Sequence, residues 1–170
     1  MKKIILIAVL LFGIIRAYCQ DRFPPPPATK YSIFGGVNII NKEEAKYFFD
    51  RFISAEIGID RRFVIPPIAA GYGFYFSNEF ATNFNKFYIA PKIGANVTFY
   101  LFMIGSEFAL YSDFQKKSLH IIPLFGFGIG GLKMNIRINI PLNNKDLFPV
   151  NIGFGVTLPI FTLKKTEKIF

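Results

Sequence analysis

The chain has 170 residues, 52% of them hydrophobic, with 20 Lys and Arg against 11 Asp and Glu. That length sets a single domain, and a half-apolar composition excludes a disordered chain. One Cys and one His exclude a disulfide framework and leave little for a zinc site.

Residues 1–19 read as a secretory signal peptide. Lys2 and Lys3 form a positive start, and Ile4 to Ile15 is an apolar run interrupted only by Gly13. The run is short of the roughly 20 residues a membrane helix needs and fits a signal h-region. Ala17-Tyr18-Cys19 is the expected cleavage site; acylation at Cys19 is the rival reading. Cleavage removes three basic residues and leaves a net charge of +6. Residues 20–30 follow, with Pro24 to Pro27 favouring polyproline II. They are expected to be a periplasmic leader, neither strand nor helix.

Beyond residue 30 no apolar run is long enough for a membrane helix. Apolar residues instead alternate with period two, the strand period. Eight segments result, near 31–40, 52–60, 68–76, 88–98, 101–111, 119–130, 132–140 and 150–161, followed by a tail over 164–170. In 132–140, Leu132, Met134, Ile136, Ile138 and Ile140 share one face, and Lys133, Asn135, Arg137 and Asn139 the other. In 52–60, Ile53, Ala55, Ile57 and Ile59 oppose Ser54, Glu56, Gly58 and Asp60.

The apolar face is bulky, and Ser106 is its one clear polar residue. The second face is Gly, Ala, Ser, Asn and a few charges. It is too small for a solvated exterior and suits the interior of a narrow barrel, which eight strands fill with side chains. The expected fold is therefore all-β: an eight-stranded antiparallel up-and-down transmembrane β-barrel over residues 31–163, apolar side out.

Connection lengths give a separate argument. The gaps between segments run long and short in alternation, as extracellular loops and periplasmic turns do in such barrels. The long ones, 41–51, 77–87, 112–118 and 141–149, hold the Asn, Asp, Ser and Pro of turns. Pro91, Pro123 and Pro159 fall inside segments, where bulges are expected to carry them. Aromatics near segment ends, Tyr75, Phe76, Phe87, Tyr88, Phe99 and Tyr100 among them, are expected to form girdles.

Ala90-Pro91-Lys92-Ile93-Gly94, Tyr111-Ser112-Asp113-Phe114, Pro123 with Gly126-Phe127-Gly128, and Asn139-Ile140-Pro141-Leu142 carry a resemblance. Over residues 88–142 the chain resembles small outer-membrane β-barrel proteins of Gram-negative bacteria. Its size is similar to the eight-stranded outer-membrane protein A-type barrel. The resemblance implies a lumen plugged by polar side chains and a terminal aromatic read by the barrel-assembly machinery, either Phe170 or Phe161.

The inward parity collects Glu56, Asp60, Lys92, Glu107, Tyr111, His120, Lys133 and Arg137. Unpaired charges in a narrow interior are expensive, so Glu56 or Glu107 is expected to pair with Lys92 or Arg137 and close the lumen. A narrow polar pore is the competing reading. His120 near Ser112, Ser118 and Asp113 supplies the residue types of a Ser–His nucleophile without a spacing motif, so no catalytic residue is assigned. No cofactor or metal motif occurs, and the scattered basic residues form no nucleic-acid stripe. Lys42, Lys46, Lys116 and Lys117 on the long connections suit anionic lipopolysaccharide. The expected role is structural or surface interaction in the cell outer membrane. Its rivals are a soluble lipocalin-like binder of an apolar ligand, a lipid A-modifying barrel enzyme, and a component of a secretion or surface-assembly apparatus.

Overall fold

The computed structural model describes residues 28–41, 52–65, 70–82, 86–129, 131–144, 147 and 151–167. The expected signal peptide, the proline run, Lys42, Lys46 and Phe170 lie outside these residues. Eight strands occur: β1 (Ala28–Asn41), β2 (Phe52–Ile65), β3 (Ala70–Thr82), β4 (Phe87–Phe99), β5 (Phe102–Ser112), β6 (Lys117–Ile129), β7 (Leu132–Pro141) and β8 (Asn151–Glu167). Each pairs antiparallel with its neighbours in sequence, and β1 also pairs with β8, closing an up-and-down barrel.

Several strands outrun their expected limits. Ala28, Thr29 and Lys30, expected in the leader, pair with Val64, Phe63 and Arg62 on β2 and with Glu167, Thr166 and Lys165 on β8. Residues 164–167, expected in a tail, are thus part of β8. The largest correction is β3. Ser77, Asn78 and Glu79 look like turn residues, yet they lie in the ladder opposite Gly58, Ile57 and Glu56. Ser77 and Glu79 belong to the polar inner face of the strand, and Asn78 faces outward between Phe76 and Phe80.

The connections at one end are residues 42–51, 83–86, 113–116 and 142–150; this is called the loop end. At the other, the turn end, lie 66–69, 100–101 and 130–131 and both ends of the described chain. Two-residue turns need positive φ to match strand twist. Tyr100 has φ 55° and Gly131 φ 110° at the two tight connections.

The three prolines sit where the ladder is open. β4–β5 pairing skips from Ile89–Ser112 to Lys92–Ala109, leaving Pro91 out. β6–β7 pairing skips from Ile121–Ile140 to Leu124–Arg137, leaving Pro123 out. Pro159 falls beside the register shifts of β8 against β1 and beyond the last β7–β8 pair, Lys133–Thr157. A missing N–H costs a hydrogen bond only where one would form.

Alternation sorts the side chains as the pleat dictates. Ile57, Phe76, Ile93, Phe108, Phe125 and Ile136 are at least half exposed on the outer surface. The inner surface holds the buried charges together with Phe34, Phe52, Tyr75, Tyr88, Ile122 and Leu124. Tyr75 and Tyr88, expected in the aromatic girdles, are therefore interior residues.

Candidate functional site

The barrel interior is layered along its axis. Next to the loop end is an apolar stopper that includes Ile40, Phe52, Tyr88 and Leu147. Phe52 and Tyr88 meet edge to face at 5.5 Å, and the Tyr88 hydroxyl donates to the Leu147 carbonyl at 3.3 Å.

Below the stopper five ionic side chains converge from five strands. Lys92 Nζ lies 2.7 Å from Glu56, 3.0 Å from Glu79 and 3.4 Å from Glu107. Arg137 Nη2 lies 2.9 Å from Glu79 and 3.4 Å from Glu107. Neutral donors take up the remaining carboxylate oxygens. Ser77 donates to Glu56 at 2.6 Å and Tyr75 to Glu107 at 2.6 Å. Ser54 donates to Glu79, as do Asn38 at 3.3 Å and Tyr111 at 3.2 Å. Three carboxylates against two cations give the cluster a net charge of −1. Buried ions survive only when paired and hydrogen-bonded in this way. The two cations occupy the space between the carboxylates. Among the described residues no group of three or more His, Cys, Asp or Glu is arranged to hold a metal ion.

Glycine makes room for the ring beneath the cluster. A Cβ on Gly94 would collide with the ring of Tyr75. That ring and Phe34 stand edge to face, 5.8 Å apart, and with Met103 and Leu124 they form a partition around a small gap that Glu56, Glu107, Asn96 and Lys133 also line.

On the turn side of the partition lies a second charged group. Arg62 reaches Asp60 at 2.7 Å and Lys133 reaches it at 3.8 Å, with the Lys133 ammonium also 5.0 Å from the Tyr75 ring centre. Arg62 and Lys133 border a vestibule of about 280 Å³ that Lys30, Ser32, Asn96, Thr98 and Gly131 also line.

All eight sequence-predicted residues point into the barrel, but not into one network. Glu56, Lys92, Glu107, Tyr111 and Arg137 meet in the central cluster. Asp60 and Lys133 belong to the turn-end group. His120 lies toward the loop end, its ring 4.9 Å from that of Tyr111. Glu79 and Arg62 lie past the expected segment limits at 76 and 60, because β3 and β2 run on to Thr82 and Ile65. Continuing the alternation Tyr75, Ser77, Glu79, Ala81 would have placed Glu79 inward.

His120 Nε2 is 3.0 Å from Ser118 Oγ, and both residues are fully buried. Ser118 already donates its proton to the Asn143 carbonyl at 2.6 Å. The imidazole therefore meets Ser118 as a donor, the opposite of the base a nucleophilic serine needs. Asp113 is committed to its own turn, accepting from the amides of Gln115 at 3.1 Å and Lys116 at 2.7 Å. The Lys116 amide bond holds its carboxyl below the usual carboxylate range.

Compared with models of protein families, with curated proteins and with solved structures, the chain matches none.

Proposed function

We propose that this chain is an outer-membrane β-barrel of a Gram-negative bacterium with a structural or surface-interaction role, its lumen plugged by the central ion cluster. The observation that carries this reading is the inverted polarity of the barrel. Phe74, Phe76, Ile93, Phe102, Phe127 and Ile136 are each at least half exposed, while Glu79, Lys92 and Arg137 are buried. Soluble monomers rarely expose contiguous apolar patches beyond a few hundred Å², whereas acyl chains solvate such a surface without cost.

The dimensions suit a bilayer. On β3 the outward aromatics run from Tyr72 to Phe80. At about 3.4 Å per residue and a tilt of about 40° that is roughly 21 Å of height, near the ~25 Å apolar band of such barrels. Arg61, outward on β2 toward the turn end, lies 5.7 Å from the Tyr31 ring, as a cation at the edge of such a band would.

The loop end then faces outward from the cell, where exposed Lys116 and Lys117 meet anionic lipopolysaccharide. The barrel-assembly machinery is the insertion partner, with Phe161, exposed on β8, or the terminal Phe170 as its signal. No enzymatic role is proposed. Fractionation tests the reading. The protein should stay with carbonate-washed membranes and migrate faster unboiled than boiled on a gel. Recovery in the soluble periplasmic fraction would favour the lipocalin-like alternative and end this one.

A further inference from the structure

We infer that the turn-end vestibule binds a small phosphate-bearing dianion. The cavity of about 280 Å³ is small for a drug-sized ligand, and its lining is rich in donors. Lys30 stands directly opposite Arg62 in the β1–β2 ladder, and both line the cavity. Like charges so placed repel. Lys165 on β8 continues the same row on the other side of Lys30. Lys133 adds a further cation to the wall.

The acid facing this group is Asp60, shared between Arg62 and Lys133. Among the described side chains, Lys30, Arg62 and Lys133 against Asp60 leave an excess of +2. Glu56 and Glu107 share a small cavity with Lys133 at the Phe34–Tyr75 pair, but their carboxylates are held by Lys92, Arg137 and Tyr75. A second observation points the same way. Asn96 is 3% exposed and lines the vestibule, yet its Nδ2 has no hydrogen-bond partner among the described residues. A buried unpaired donor costs free energy, which an entering oxyanion would relieve once the Asn96 side chain turns toward the open volume. Ser32 and Thr98 offer further hydroxyl donors. An excess of +2 with lysines as point charges and an Arg fork matches a phosphate monoester or free phosphate better than a monocarboxylate.

The full mature chain would be refolded in maltoside micelles, which carry no phosphate. It would then be titrated with inorganic phosphate, with glycerol phosphate and with chloride, following the Asn96 side-chain amide by NMR. Saturable shifts confined to Ser32, Asn96 and Thr98 are expected with either phosphate and not with chloride. Tighter binding of glycerol phosphate would identify the ester, and of inorganic phosphate the free ion. Lys30→Gln and Lys133→Gln should each weaken binding about tenfold, the value of one charge-assisted contact. Asp60→Asn should tighten it by removing a competing acceptor. Shifts that match those with chloride, or that survive Lys30→Gln unchanged, would overturn the site. So would Asp60→Asn weakening the binding, because the group would then be only an internal brace. Gel mobility of the same sample reports the barrel reading separately.

Discussion

Replacing Lys92 with Met tests whether charge balance or packing holds the lumen together. Methionine keeps an unbranched stem in a site where the lysine side chain is 0% exposed. What it removes is a cation 2.7 Å from Glu56, 3.0 Å from Glu79 and 3.4 Å from Glu107. Three carboxylates would then face Arg137 alone, and the cluster would go from −1 to −2. Breaking a buried pair by deleting one partner costs about 3–5 kcal/mol, a large share of a total stability on the order of 5–15 kcal/mol. Adding Glu56→Gln returns the cluster to −1. Ser77 and Asn38, which hydrogen-bond to Glu56, still have an amide oxygen to meet. The double variant should therefore recover about 1–3 kcal/mol, since neutral replacement of a buried pair is often close to harmless. Urea unfolding of the micelle-refolded barrel gives both values from the shift in midpoint at constant slope. A double variant less stable than Lys92→Met, or a Lys92→Met cost under about 1 kcal/mol, would refute the charge-balance account.

Other expectations follow from separate parts of the barrel. Ile93→Lys places a charge mid-strand on the outer face of β4, where Ile93 is 62% exposed; it should cost about 2–4 kcal/mol in lipid. In water an exposed substitution stays within about 0.5 kcal/mol, so unfolding in vesicles separates a spanning barrel from a soluble one. Gly94→Ala drives a methyl into the Tyr75 ring and disturbs its 2.6 Å bond to Glu107; overpacking predicts a loss of about 1–3 kcal/mol by thermal melt. Asp113, with its carboxyl held low by the Lys116 amide, stabilises the 113–116 turn fully above the ordinary carboxylate pKa of about 3.9. That contribution is lost as pH falls through the lower folded value. The protection factors of the Gln115 and Lys116 amides, which divide out the intrinsic pH dependence of exchange, should fall at acid pH in the wild type and stay flat in Asp113→Asn. Planar bilayers should show no discrete channels for the wild-type barrel, and regular unitary openings would overturn the plug.

Period-two alternation made the strands legible because the pleat sends neighbours to opposite faces regardless of partner. The β7 set from Leu132 to Ile140 needed nothing further. Strand ends were less legible, because Ser77-Asn78-Glu79 has turn composition for a backbone reason and lumen composition for an electrostatic one. Only the opposing residues on β2 decide between the two. Pairing inside the lumen was legible by type but not by identity. Glu79 and Arg137 are 58 residues apart and meet because of the barrel's stagger, which no local pattern encodes. The interior positions of Tyr75 and Tyr88 were hidden for the converse reason. An aromatic near a strand end fits a girdle by composition, and its parity emerges only once the strand is extended past it.

The layering explains how so narrow an interior tolerates so many ions. A single pool holding Glu56, Asp60, Glu79, Glu107, Lys30, Arg62, Lys92, Lys133 and Arg137 would be nearly neutral. Its members would nonetheless be free to choose among many pairings, and many pairings mean no unique core. The Phe34–Tyr75 partition divides them into a central group of net −1 and a turn-end group of net +2. Lys133, within about 6 Å of both ring centres, caps the partition from one side. Tyr75, bonded to Glu107, ties it to the cluster on the other. In the central group each carboxylate meets at least one cation and one neutral donor. Electrostatic surplus collects instead in the vestibule, the layer with open volume, where an exchangeable anion can answer it without disturbing the ions that hold the wall together.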